Sequence, residues 1–179
     1  MAQRKTQSTE MKWNNDLLKF IFSVLAVYLS GLVVYESFLL PKTRIDEHLI
    51  HALVVVSEWI IQNLGFVTTA HQTSFFYTIQ IENSVGVWVS PNCDGWMVVW
   101  VFLSVWIFLP LKNSWKFAML PLLVLAIEAV NVLRIVSLAI ITKYYPQSLA
   151  FNHDYTFTIL VYGFVIFLWW MGIKRWSNK

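Results

Sequence analysis

The chain has 179 residues, of which 58% are hydrophobic, 17% aromatic and only 13% charged. That balance excludes an ordinary soluble domain, and a formal charge of +3 with no basic stripe excludes a nucleic-acid-binding surface. A single cysteine rules out an internal disulfide and leaves open a reactive thiol or an intermolecular bridge.

Residues 1–16 are polar, carry Arg4, Lys5 and Lys12, and read as a cytoplasmic tail. Leu17 to Leu40 is long and apolar enough to span a bilayer, with Lys19 free to snorkel at the inner end and Glu36 near the outer end. No small-residue cleavage site follows it, so the segment reads as an uncleaved anchor kept in the mature protein. Leu49 to Ile61 has helical periodicity but contains His51 and Glu58 and is short for a span, which predicts a helix at the interface or packed on the bundle. Ser74 to Val89 alternates in part, is rich in β-branched and aromatic residues, and holds a turn at Asn83-Ser84. That pattern predicts a β-hairpin, which belongs outside the hydrocarbon because lipid cannot satisfy a strand edge.

Three more spans are expected, at Gly95–Leu111, Phe117–Thr142 and Thr156–Ile173. The Lys112–Lys116 turn joins the first two, and the polar loop Lys143–Tyr155, with Pro146 breaking the helix before it, joins the last two. The expected fold is therefore an all-α integral membrane protein with about four transmembrane helices, an interfacial helix and a small external β-hairpin. Its parts are a tail at 1–16, a membrane-embedded domain at 17–174 with its external segment at 41–94, and a tail at 175–179.

Orientation follows from the basic residues. Four spans put Arg4, Lys5, Lys12, Lys19, Lys112, Lys116, Lys174, Arg175 and Lys179 inside, against Lys42, Arg44 and Lys143 outside and Arg134 embedded. Making Leu49–Ile61 a further span would invert everything after it and move Lys112 and Lys116 outside. The charge bias favours the four-span arrangement.

In that arrangement three chemically capable residues share the outer leaflet. Cys93 precedes the second span, His153 precedes the last, and Arg134 lies about 12 Å below the outer end of its helix. A permanent cation at that depth costs several kcal/mol, so a partner or a task must stabilise it. A thiolate is the nucleophilic form of cysteine, an imidazole can take and return its proton, and a guanidinium stabilises developing negative charge where water is scarce. Asp94 opposes thiolate formation unless Arg134 neutralises it. Each residue also has a plainer reading: a lone cysteine is ordinarily an inert packing residue, and a lone loop histidine an ordinary polar one. Glu128 reads as structural. His48-x-x-His51 lacks the further ligands that a metal site needs, so no metal and no cofactor is expected.

The motifs Pro91-Asn92-Cys93-Asp94-Gly95, Asn131-x-x-Arg134-Ile135 and Asn152-His153-Asp154 resemble the exosortase/archaeosortase family, over roughly residues 70–170. The short chain is similar to the smaller bacterial variants, and it has Asp94 where the commoner family motif is Cys-Ser-Gly. The resemblance implies Cys93 as nucleophile, Arg134 as its electrostatic partner and His153 as acid/base. It implies a cysteine protease or transpeptidase in the cytoplasmic (inner) membrane of a bacterium, multi-pass, with its site facing the periplasm or exterior. Its partners would be the lipid bilayer, the C-terminal sorting signals of exported proteins and an acceptor nucleophile that the sequence does not identify. The alternative from another class is a non-enzymatic assembly or transport partner, in which Arg134 and Glu128 act as polar glue between helices.

Overall fold

Apolar runs wound at helical period make helices of most of the chain, and the computed structural model describes residues 2–73, 76–90, 93, 95–109, 111 and 113–177. Helix α1, Ala2–Val34, continues through a π-turn at Tyr35–Leu39 into Leu40–Lys42. Pro41 accounts for the wider turn. It has no N–H to continue the ladder, and its ring crowds the carbonyl four residues back, so Leu40 N–H donates to Tyr35 O instead. The most apolar 18-residue window of the Asn15–Lys42 stretch has a mean hydropathy of 2.2, and none of it is buried within the protein. It touches the bundle along one line. Gly31 lies so close to the Trp100 indole that a Cβ there would overlap the ring, and Trp100 Nε1 donates to Tyr28 O at 3.2 Å.

Helix α2, Ile45–Asn63, extends beyond the expected Leu49–Ile61 at both ends. Asp46 and Glu47 sit in its first turn, where the positive end of the helix favours carboxylates. Its buried face, Ile50, Leu53, Val54, Ser57 and Ile61, follows helical spacing. Three antiparallel strands come next: β1 Thr68–Gln72, β2 Tyr77–Ile81 and β3 Val87–Val89, in spatial order β1-β2-β3. Thr68 pairs with Ile81 and Gln72 with Tyr77; Tyr77 pairs with Val89 and Ile79 with Val87. Strand β2 buries Tyr77, Ile79 and Ile81 on one face, as period-two alternation requires. The β2–β3 connection contains the expected Asn83-Ser84 turn, with Asn83 at φ 62° and Gly86 at φ 81°.

The predicted hairpin is thus a three-stranded sheet. Strand β1 is the addition, and its TTAHQ sequence, exposed along nearly its whole length, carries no alternation to read. The sheet lies on α2 through β1 and β2, and on the later helix Asn113–Tyr144 through β2 and β3. The side chains between them form one buried cluster that includes Ile50, Val54, Ile79, Val89, Ile135 and Ala139.

The rest is helical: α3 Trp96–Trp106, α4 Asn113–Tyr144 and α5 Phe157–Ser177. They pack around Val99, Phe102, Trp106, Ile127, Val165 and Leu168, and Trp169 Nε1 donates to Phe102 O at 3.2 Å. Among the described residues three helices are long and apolar enough to cross a membrane: Asn15–Lys42, Ser114–Tyr144 and Pro146–Arg175. The expected span at Gly95–Leu111 forms the shorter apolar helix α3 of 11 residues, about 16 Å long at ~1.5 Å per residue. Lys116, buried at the inner end in the expected topology, donates to Ile107 O at 2.8 Å, a cation on the carbonyl end of α3. The chain is a multi-pass membrane protein.

Candidate active site

Four elements meet at one end of the bundle. Cys93 follows β3 in a tight turn, with its N–H donating to Ser90 O at 2.7 Å. Gly95 then starts α3 in the left-handed region, at φ 81°. Asn131 and Arg134, three apart on α4, share a face toward that turn. His153 comes from a π-turn, Asn152–Thr156, that leads into α5. The wide turn closes with Phe157 N–H on Asn152 O, and the Thr158 hydroxyl donates to His153 O at 3.4 Å. Such a bulge adds a residue to a helical turn and re-aims the side chains on it.

The structure brings together the three residues that the sequence placed on one leaflet. Cys93 Sγ lies 3.8 Å from His153 Nε2, and Arg134 Nη2 lies 3.0 Å from the same nitrogen. A guanidinium can only donate, so Nε2 accepts and the ring proton resides on Nδ1. Nδ1 in turn faces Asp154 Oδ1 at 2.8 Å, and a carboxylate accepts that N–H. The four groups therefore agree on one neutral tautomer of His153, with its lone pair turned toward the thiol and the guanidinium. The His153 side chain is 40% exposed, so the cluster opens outward.

A second set of contacts lies beneath the cysteine. Asn131 is buried, and its Nδ2 donates to Cys93 O at 3.1 Å. Glu128, one turn earlier on α4, turns its carboxyl toward the same point as the Asn131 amide nitrogen. A Cβ on Gly95 would lie 2.7 Å from each Glu128 oxygen and 2.8 Å from Asn131 Nδ2. The Arg134–Glu128 pairing of the alternative reading is not formed: among the described ion pairs Glu128 has none, and it turns to Asn131 and Gly95. The sequence reading missed this support and the Asp154 contact. The Glu128-x-x-Asn131-x-x-Arg134 spacing, three polar residues on one helix stripe, was the available signal. Pro91, Asn92 and Asp94 lie outside the described residues. His48 and His51 are exposed on α2, and among the described residues no three His, Cys, Asp or Glu side chains group as metal ligands.

The family model of transmembrane exosortases matches residues 13–174. The chain belongs to the transmembrane exosortase family. The match runs from α1 almost to the end of α5, so Cys93, Arg134 and His153 all fall within it. Exosortase membership suggests a membrane-embedded sorting transpeptidase of the cysteine-peptidase kind. No curated protein and no solved structure matches the chain.

Proposed function

We propose that this exosortase cleaves the C-terminal sorting signals of exported proteins through a thioester on Cys93. The observation that carries the reading is the meeting of Cys93, Arg134 and His153 at one imidazole nitrogen, within a family of membrane sorting enzymes. The substrate is an exported protein ending in a short motif, a transmembrane helix and a basic tail. Residues 17–174 form the membrane-embedded catalytic unit, with 41–94 at the outer face of a bacterial cytoplasmic membrane.

The geometry suggests an order of events. One lone pair on Nε2 cannot accept from the guanidinium and from the thiol at once. A substrate carbonyl entering beside Cys93 gives Arg134 a better acceptor, and its N–H groups turn to that oxygen. Freed, Nε2 takes the thiol proton while Sγ bonds the carbonyl carbon, and Asp154 holds Nδ1–H as the ring becomes cationic. The tetrahedral oxyanion is held by Arg134, a fixed donor aimed at the developing charge. As the C–N bond breaks, Nε2–H returns the proton to the leaving amine, and the C-terminal helix departs with it. An amine, hydroxyl or water then attacks the thioester, giving its proton to Nε2, and Cys93 recovers its proton as the product leaves.

The test compares C-termini of surface proteins in cells carrying the wild type and Cys93→Ala at equal abundance. Intact C-terminal helices in the Cys93→Ala cells are expected. Unchanged processing would leave the chain as a non-enzymatic membrane partner.

A further inference from the structure

The proposed chemistry leaves Glu128 unused, although a carboxyl group held inside a membrane bundle is costly. Its Oε2 atom is buried with no hydrogen-bond partner among the described residues. A residue kept there at such cost needs a reason beyond packing. Its surroundings supply one. Both carboxylate oxygens and Asn131 Nδ2 converge where a Cβ of Gly95 would stand, at 2.7, 2.7 and 2.8 Å. It is thus the amide nitrogen of Asn131, not its oxygen, that lies beside the carboxylate. The same nitrogen donates to Cys93 O at 3.1 Å.

An amide nitrogen has two N–H groups. One goes to the cysteine carbonyl, and the Glu128 carboxylate, whose oxygens approach the same point as that nitrogen, favours an N–H rather than an oxygen on its side. A flipped Asn131 would set its oxygen against both a carboxylate and a carbonyl, two acceptors facing a third. Glu128 therefore dictates which way Asn131 points, and Asn131 dictates the orientation of the peptide that follows Cys93. With the Cys93 N–H tied to Ser90 O at 2.7 Å, both ends of that residue are held. The thiol of a loop residue then has a fixed approach to an imidazole on a different element.

We infer that Glu128 is a positioning residue for the nucleophile, acting through the Asn131 amide on the Cys93 carbonyl. The inference rests on Cys93 being the nucleophile. It assigns Glu128 to the catalytic geometry of an outer-face site, although neither its carboxylate nor Asn131 touches the reacting atoms.

The experiment measures pulse-chase processing of the cell's own exported substrates by Glu128→Ala, Glu128→Gln, Asn131→Ala and the Glu128→Ala/Asn131→Ala double variant, at matched abundance. Loss of orientation on the scale of an ångström slows such a step by about 10²-fold, so each Ala variant should fall by roughly 10- to 100-fold. Raising the substrate level should not restore the rate, because turnover and not capture is impaired. The double variant should be no slower than Asn131→Ala, since Glu128 acts only through that amide. Glu128→Gln, which still sets an oxygen on that side of the Asn131 amide, should keep most of the rate. Multiplying losses in the double variant, wild-type rate in Glu128→Ala, or equal loss in Gln and Ala would each overturn the inference. Should Glu128→Ala fail to accumulate, Asn131→Leu, of nearly the same shape but unable to donate, should show the same slow turnover, and a wild-type rate would count against the relay. Cys93→Ala in the same assay separates the two claims. If it processes substrate normally, the proposed function fails first; if it is dead while Glu128→Ala is normal, only the positioning role fails.

Discussion

Replacing Gly95 by alanine adds one methyl group at the point where three parts of the site touch. Its Cβ would stand 2.7 Å from both Glu128 oxygens and 2.8 Å from Asn131 Nδ2, well inside an ordinary contact of 3.4–4 Å. The Glu128 carboxyl and the Asn131 amide, or the turn itself, must therefore give way by about 0.7 Å or more, on the scale at which misplaced reacting groups lose about 10²-fold in rate. The backbone adds to the strain. Gly95 sits at φ 81°, where a residue with a Cβ is held at a cost of about 1–3 kcal/mol. Overpacking against a buried amide and carboxylate adds about 1–3 kcal/mol. Gly95→Ala should thus lose several kcal/mol of local stability and most of its processing activity. The assay is thermal aggregation of the detergent-solubilised protein alongside substrate processing in cells at matched abundance. A Gly95→Ala protein with wild-type midpoint and wild-type processing would show that the contacts among Gly95, Asn131 and Glu128 do not shape the site.

Arg134→Lys should keep only part of the activity, because a point charge cannot reproduce the planar fork that reaches both imidazole and carbonyl, and Arg134→Ala should keep less. Near-normal processing by Arg134→Ala, with normal insertion, would remove the guanidinium from the chemistry. Asp154→Ala frees the His153 tautomer, so thioester formation should slow by roughly 10-fold while substrate still associates, and an unchanged rate in single-turnover labelling would mean that the 2.8 Å contact is incidental. A membrane-impermeant maleimide should label Cys93 from outside intact cells once any outer membrane is permeabilised. Labelling only after lysis of the inner membrane would invert the expected topology.

Much of this architecture can be read from the chain, for physical reasons that differ element by element. The long apolar runs at 17–40 and 117–142 declare themselves by hydropathy, since lipid demands about 20 apolar residues in sequence. Tyr77, Ile79 and Ile81 show the alternation of a half-buried strand, and Asn83 supplies the turn after them. Strand β1 stays hidden because an exposed edge strand needs no apolar face, and its order comes from pairing with β2. The end of α3 at Trp106 has a signal in Pro110, which disfavours helix just before it, but it is masked by Ile107 to Leu111 being as apolar as the helix itself. Arg134 stands out as a charge in an apolar run, and topology alone puts Cys93 and His153 on its side. The contacts themselves required the fold. Nothing in the sequence shows that a π-turn aims His153 at Arg134, or that Glu128 turns away from the nearby cation toward Gly95.

The central claim is that Cys93 forms an acyl bond to its substrate, and the most direct measurement is isolation of that species. Limiting the acceptor nucleophile in cells carrying the wild type should let a covalent enzyme–substrate band accumulate, which neutral hydroxylamine cleaves and dithiothreitol leaves intact. It should be absent from Cys93→Ala and form more slowly in His153→Ala. Mass spectrometry should place the acyl group on Cys93, joined to the new C-terminus of the processed protein. A band that collapses with dithiothreitol, or one that persists in Cys93→Ala, would contradict a thioester on this residue.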